Sequence, residues 1–178
     1  NNGNWYPLSP TTTVVTLLPV DPQATSAGNA KVYLGTNAIL QGPQIDGYIP
    51  GADNVFYVKA IDIANSSSPV DTSSVVFVTR QSSDLLVIDA NSGSGNPSPE
   101  QVIYPALANT VGAFDVIDLR SNGGLNVPRL WKPTFELTLK TYQQVFWYGD
   151  ASDIALALLE DAAGAIQSYL SSGGKMLI

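Results

Sequence analysis

The chain has 178 residues, 44% of them hydrophobic and 13% charged, enough apolar side chain to bury a core and unlike a disordered sequence. Eight Lys and Arg against 15 Asp and Glu leave a net charge of −7, which argues against nucleic acid or an anionic membrane surface as a partner. With no Cys and no His, the chain has no disulfide, no thiolate nucleophile, no zinc site of the usual ligand sets and no imidazole base.

No run of about 18 or more apolar residues occurs, so neither a transmembrane helix nor membrane insertion is expected. The opening Asn1-Asn2-Gly3 lacks an initiator Met and a charged-then-apolar leader, as after leader removal or in a fragment. The first half is rich in Thr, Ser, Asn, Gly and Pro and poor in Lys. That composition, common in secreted bacterial β-modules, points to a secreted or cell-surface location.

From Pro10 to Arg80, apolar residues come in short bursts between turn formers with no sustained 3.6-residue period, which predicts β structure. Thr11 to Leu18 is β-branched and ends at Pro19; Lys31 to Leu34 alternates between Gly28-Asn29 and Gly35-Thr36-Asn37. The plainest strand is Val55 to Ile61, with Phe56, Val58 and Ala60 on one side and Val55, Tyr57, Lys59 and Ile61 on the other. Its expected partner is Ser74 to Thr79, across a connection from Asp62 to Asp71 whose Asn65, serines and Pro69 are turn chemistry.

The run Asn54 to Asn65 (NVFYVKAIDIAN), followed by a Ser/Pro linker and Val75 to Val78, resembles the last two strands of fibronectin type III and related Ig-like modules. Ile45-Asp46-Gly47-Tyr48 resembles the strand start of such modules, although no core Trp stands in an early strand, and Trp5 lies too near the start for that role. The resemblance implies an N-terminal all-β sandwich over residues 1–82.

Beyond Gln81-Ser82-Ser83 the pattern changes. Leu85 to Ile88 is a continuous apolar run of the kind buried on both faces of a parallel sheet. After a polar loop, Asn91 to Pro99, the stretch Val102 to Val111 is a candidate helix; Phe114 to Leu119 and Gln144 to Tyr148 read as further strands. From Asp153 to Leu170, the series Ile154, Leu158, Ala162, Ile166 and Leu170 marks a long amphipathic helix, widened by Leu159, Ala163 and Tyr169. Asp150 or Ser152 caps it, Gly173-Gly174 stops it, and Lys175 to Ile178 begins a fourth strand. This alternation predicts a parallel sheet with crossover helices.

The motifs Leu85 to Asp89, Phe114 to Asp118, Val145 to Asp150 and Ser168 to Ile178 together resemble the class I glutamine amidotransferase-like superfamily, in the branch found on large secreted bacterial proteins. The resemblance implies a three-layer α/β, flavodoxin-like parallel sheet over residues 83–178, incomplete at its end. In catalytic members the nucleophilic Cys follows the strand that corresponds to Lys175–Ile178, and a His comes later. Here the sequence stops at Ile178, so the expectation is a piece of a longer protein with no catalytic residue in this chain.

Ligands of open α/β sheets bind at the carboxyl ends of the strands, near the switch in strand order. The candidate binding residues are therefore Asp89, Asn91, Gly149 and Asp150, with Asp118 and Arg120 at the neighbouring end. The loop Asn91-Ser-Gly-Ser-Gly95 offers backbone N–H groups to an anion, but it matches neither GxGxxG nor a Walker sequence, and a solvated loop with capping aspartates is the plainer reading. Asp46, Asp62 and Asp71 as calcium ligands lack EF-hand spacing and read more simply as turn aspartates. Trp131, Trp147 and Tyr148 are either a sugar-stacking platform or core packing, and Asp89 with Asp150 is either an acid/base pair or two caps. No metal and no cofactor are expected.

Three functions remain open. The chain is a noncatalytic structural or binding module of a larger surface protein, with the rest of that polypeptide or other surface proteins as partners. Alternatively it is part of a hydrolase whose nucleophile lies beyond Ile178, or a self-assembling filament or surface-layer subunit that self-associates through its exposed last strand. The segment Asn122 to Lys140, with a Gly-Gly pair and two prolines, is a lid or a hairpin insertion.

Overall fold

The computed structural model describes residues 5–35, 39–73, 76–77, 81–91, 99–121, 124–125, 132–150 and 152–178. Its first part is antiparallel. Strands β1 (Val15–Pro19), β2 (Gly28–Leu34) and β3 (Ile39–Tyr48) form a three-stranded sheet in that order. β3, ten residues long, holds Gly42-Pro43, and one of the two register shifts in its pairing with β2, between Ala30↔Ile45 and Val32↔Gln41, spans that irregular stretch. Ala30, Val32 and Tyr48 are the buried apolar residues here among the described residues.

A hairpin follows. β4 (Asp53–Asn54) pairs with β7 (Val76–Phe77) and β5 (Tyr57–Val58) with β6 (Asp71–Thr72), with a further bridge from Ile61 to Ser67. The long strand expected over Val55 to Ile61 is therefore broken. Two serine hydroxyls stand where backbone carbonyls would continue the ladder: Phe56 N–H donates to Ser73 Oγ and Ala60 N–H to Ser68 Oγ, each at 2.9 Å. The turn is also tighter than the Asp62–Asp71 connection expected. Asp62 Oδ1 accepts the N–H groups of Ala64 and Ser66, and Asn65 takes a left-handed φ of 62° that Asn tolerates. Residues 61–70 are exposed throughout, and Tyr57 and Val58 are exposed on both sides of the arm. The described residues thus give an antiparallel β region; a second sheet packed face to face on the first is not among them.

The second part is α/β. Strands β8 (Leu85–Ala90), β9 (Asp115–Asp118), β12 (Gln144–Gly149) and β13 (Lys175–Leu177) form a four-stranded parallel sheet in the order β13-β12-β8-β9. Between β8 and β9 runs helix α1 (Pro99–Val111), and between β12 and β13 helix α3 (Asp153–Ser171). Between β9 and β12 lie the two-residue strands β10 (Arg120–Ser121) and β11 (Gly124–Leu125), which pair with each other, and helix α2 (Lys132–Leu139). The described part of Asn122–Lys140 thus holds one arm of a small hairpin and a helix. Pro133 suits the first turn of α2, where its missing N–H has no intrahelical partner to lose.

Register decides what each face buries. Leu86, Ile88 and Ala90 sit beside Val145, Trp147 and Gly149, and their apolar side chains join Phe135 and Leu139 of α2 and the buried stripe of α3 in one core. That stripe is Leu158, Ala162, Ala165, Ile166 and Tyr169, and Ala155 is buried one turn earlier. Ile154 and Leu170, the ends of the four-residue series expected from sequence, are exposed. Four residues advance a helix by about 400°, so a strict series drifts about 40° per step and leaves the core face after a few turns. Ser152 caps α3, its Oγ accepting Ala155 N–H at 3.2 Å, and Asp150 Oδ1 accepts Ser152 N–H at 3.1 Å.

The opposite face, Val87 and Asp89 on β8 with Tyr148 on β12, meets Tyr104 of α1. No described helix is long and apolar enough to cross a membrane.

Two local features carry predictions. The Tyr48 hydroxyl is buried without a partner among the described residues, and burial pushes its pKa up to about 12 from a normal 10.0. Tyr48→Phe removes an uncompensated polar group and is expected to leave stability unchanged or raise it by about 1 kcal/mol in urea unfolding at neutral pH. Because the folded pKa exceeds the unfolded one, the wild type keeps its Tyr48 contribution below pH 10 and loses it as the pH rises towards 12; the variant should lose less over that window. At Gly174, an added Cβ would lie 2.2 Å from the ring of the buried Tyr169. Gly174→Ala should therefore cost about 2 kcal/mol, measured by the same unfolding.

Candidate functional site

The carboxyl ends of the central strands bring the four candidate residues to one place, because Tyr148 lies beside Asp89 and Gly149 beside Ala90 in the parallel register. Asp89 is the last residue but one of β8, followed by the equally buried Ala90, and its side chain has no exposed surface. One oxygen, Oδ2, accepts the Tyr148 hydroxyl at 2.5 Å and the Tyr104 hydroxyl at 2.8 Å; the other, Oδ1, accepts Asn91 N–H at 3.0 Å. The two tyrosine rings meet edge to face at 6.4 Å, and Phe114 packs on Tyr104 and Phe146 on Tyr148.

A carboxyl group can be buried when fixed hydrogen bonds replace its water, and Asn91 N–H and the two phenols do so here. Burial first, and the hydrogen bonds to Asp89 second, push the pKa of both phenols far above the tyrosine range. Both remain donors at any physiological pH. Unfolded tyrosine ionises near pH 10, so this contribution is complete below about pH 10 and declines as the pH rises beyond it.

The other candidates differ in accessibility. Gly149 is exposed; a Cβ there would stand 3.3 Å from Ala90 O and 3.6 Å from Ala155 Cβ, so Gly lets the start of α3 approach the sheet. Asp150 is half-buried and holds the α3 cap, while Asn91 is half-buried beside Asp89. Asp118 is exposed at the end of β9. Residues 92–98, most of the Gly-Ser loop, fall outside the described residues, as does Trp131. Trp147 and Tyr148 are neighbours on a strand and face opposite ways, Trp147 into the core against Phe135 at 6.2 Å, so they do not form one stacking platform. Asp62 and Asp71 accept nearby N–H groups, as turn aspartates do, and no three potential metal-ligating side chains cluster among the described residues.

A second buried carboxylate was not legible as such. Asp115, at the start of β9, accepts Ser82 N–H at 2.8 Å, the Ser82 hydroxyl, Ser83 N–H at 3.3 Å and the Tyr142 hydroxyl at 3.1 Å. Burial, then the Asp115 charge, pushes Tyr142 far up. Gln81, also buried, donates its side-chain amide to Ser83 O and Thr141 O, while its backbone N–H reaches Pro22 O at 3.0 Å in the β region. The stretch where composition changes is therefore bonded to both parts of the chain.

The class of architecture defined by these observations is an antiparallel β region joined to a parallel α/β unit. In comparisons with protein-family models, curated proteins and solved structures, nothing matches the chain.

Proposed function

We propose that this chain is a noncatalytic structural or binding module of a larger secreted or cell-surface protein. In this reading the β region is an Ig/fibronectin III-like element and the α/β unit a flavodoxin-like, amidotransferase-like domain. The observation that carries it is the state of Asp89: at the strand end where a parallel sheet places its chemistry, the central carboxylate is sealed beneath Tyr104 and Tyr148. A general acid or base must reach the proton it moves, and this one is spent on the fold. The strand order supports the fold assignment. Numbered within the sheet it runs 2-1-3-4, the order in which flavodoxin-like sheets begin, with the switch between β8 and β12. The secreted or surface location rests on composition, and the partners are the remainder of the polypeptide or neighbouring surface proteins.

The test is turnover. The purified chain should hydrolyse fluorogenic amides, esters, glycosides and phosphoesters no faster than its Asp150→Asn variant. Turnover that falls with Asp150→Asn would overturn the noncatalytic reading.

A further inference from the structure

The other end of the sheet has its own opening. Where β12 and β13 begin, a cavity of about 240 Å³ is bounded by Lys140, Gln143, Gln144, Tyr169 and Lys175 over the Gly173-Gly174 turn. Its floor is rigid. Tyr169 is buried against Gly174, and its hydroxyl contacts both the N–H and the C=O of Lys175 at 3.2 Å.

The polar side chains here are of two kinds. Lys140 donates to Glu136 Oε1 at 2.6 Å and to Ser168 Oγ at 3.0 Å, leaving one of its three hydrogens. The Lys140 bond, and after it the bond that the Ser168 hydroxyl donates to Glu136 Oε1 at 2.6 Å, hold the Glu136 carboxyl below the usual range. Gln143, Gln144 and Lys175 make no side-chain hydrogen bond or ion pair among the described residues. This contrasts with Asp89, Asp115 and Gln81, whose polar atoms are engaged by the fold.

Both lysines follow the ends of helices, α2 and α3, where a cation complements the dipole. That placement explains their sign. It explains neither the open cavity between them nor the unpartnered amides beside it.

We propose that this cavity binds a small hydroxylated acid, of the chemical class of a single uronic-acid residue. Its carboxylate pairs first with Lys175, whose ammonium has no partner among the described residues, and takes the one hydrogen that Lys140 has left, as charge-assisted hydrogen bonds. The hydroxyls meet Gln143 and Gln144, whose amides both donate and accept as a hydroxyl does. Sites for drug-sized molecules occupy about 300–1,000 Å³, so the smaller volume here selects one residue-sized group. The assignment goes beyond the module reading, and because its readout is binding rather than turnover, either can fail alone.

The experiment is an NMR titration of the whole chain at low salt with D-galacturonate, D-galactose and L-glutamate in separate arms. Galacturonate should shift the signals of Gln143, Gln144 and Lys175 saturably, with a Kd of order 1 mM, appropriate to a small ligand. Galactose and glutamate should each bind at least about tenfold more weakly, the loss expected when one group of partners goes unpaired. Lys175→Gln, at an exposed position, should weaken galacturonate at least about fivefold while the fold persists. Absence of saturable shifts, equal binding of galactose or glutamate, or unchanged affinity in Lys175→Gln would overturn the proposal. So would a lowered Tm in that variant without any titration response, since the lysine would then serve only the helix end.

Discussion

Asp89→Ala should lower stability by about 4 kcal/mol, among the largest effects of any single change in the chain, because it strands the buried Tyr148 hydroxyl, the half-buried Tyr104 hydroxyl and a backbone N–H at once. For a chain of this length that corresponds to a fall of roughly 10 °C in Tm. Asp89→Asn keeps the shape and one carbonyl acceptor and should lose about half as much. The three groups act as a unit, so Tyr104→Phe and Tyr148→Phe combined should cost less or more than their sum by at least about 0.5 kcal/mol. A catalytic carboxylate would behave the other way: strained acids and bases commonly cost stability, and removing them is neutral or favourable. Thermal and urea unfolding of these variants check the point.

Asp115→Ala is expected to cost about 3 kcal/mol, by a different route. Its carboxylate gathers two backbone N–H groups, a serine hydroxyl and a tyrosine hydroxyl from residues 27 to 33 positions away. Losing it frees the segment from Gln81 to Ser83, which is bonded to Pro22 on one side and Thr141 on the other. Hydrogen exchange should therefore quicken at Ser82 and Ser83 well before global unfolding, because local opening no longer breaks a charged hydrogen-bond set. Protection of those two amides equal to wild type would mean that the carboxylate is incidental to the junction.

The α/β part was the more legible half of the sequence. A strand buried on both faces is written as a continuous apolar run, and Leu85 to Ile88 is one; a long helix with a capping serine and a Gly-Gly stop is equally plain. The limits lay where geometry replaces local pattern. The exposed ends of α3 follow from helical drift, and of β3 only Ile45 to Tyr48 carried a strand signal, as a start where the structure has the strand's end, because Gly42-Pro43 interrupts the pattern before it. The broken hairpin depends on Ser68 and Ser73 accepting ladder N–H groups, a choice the same serines in a loop would not advertise.

The candidate site was legible in place but not in character. Strand ends and register place Asp89 beside Tyr148 and Gly149 beside Ala90. That Asp89 is sealed depends on tyrosines 15 and 59 residues distant, whose approach no local spacing encodes. Asp115 escaped for the same reason: one of two aspartates in a Phe-Asp-Val-Ile-Asp run is buried and the other exposed, and only the sheet edge and the Gln81–Ser83 segment tell them apart.

The most direct measurement is carbodiimide labelling of carboxylates in the native chain, read by peptide mass spectrometry. Asp89 should stay unlabelled until the protein unfolds, while Asp118, exposed at the adjacent strand end, reacts readily. Labelling of Asp89 at the native rate of Asp118 would contradict the sealed carboxylate, and with it the noncatalytic reading of the strand ends.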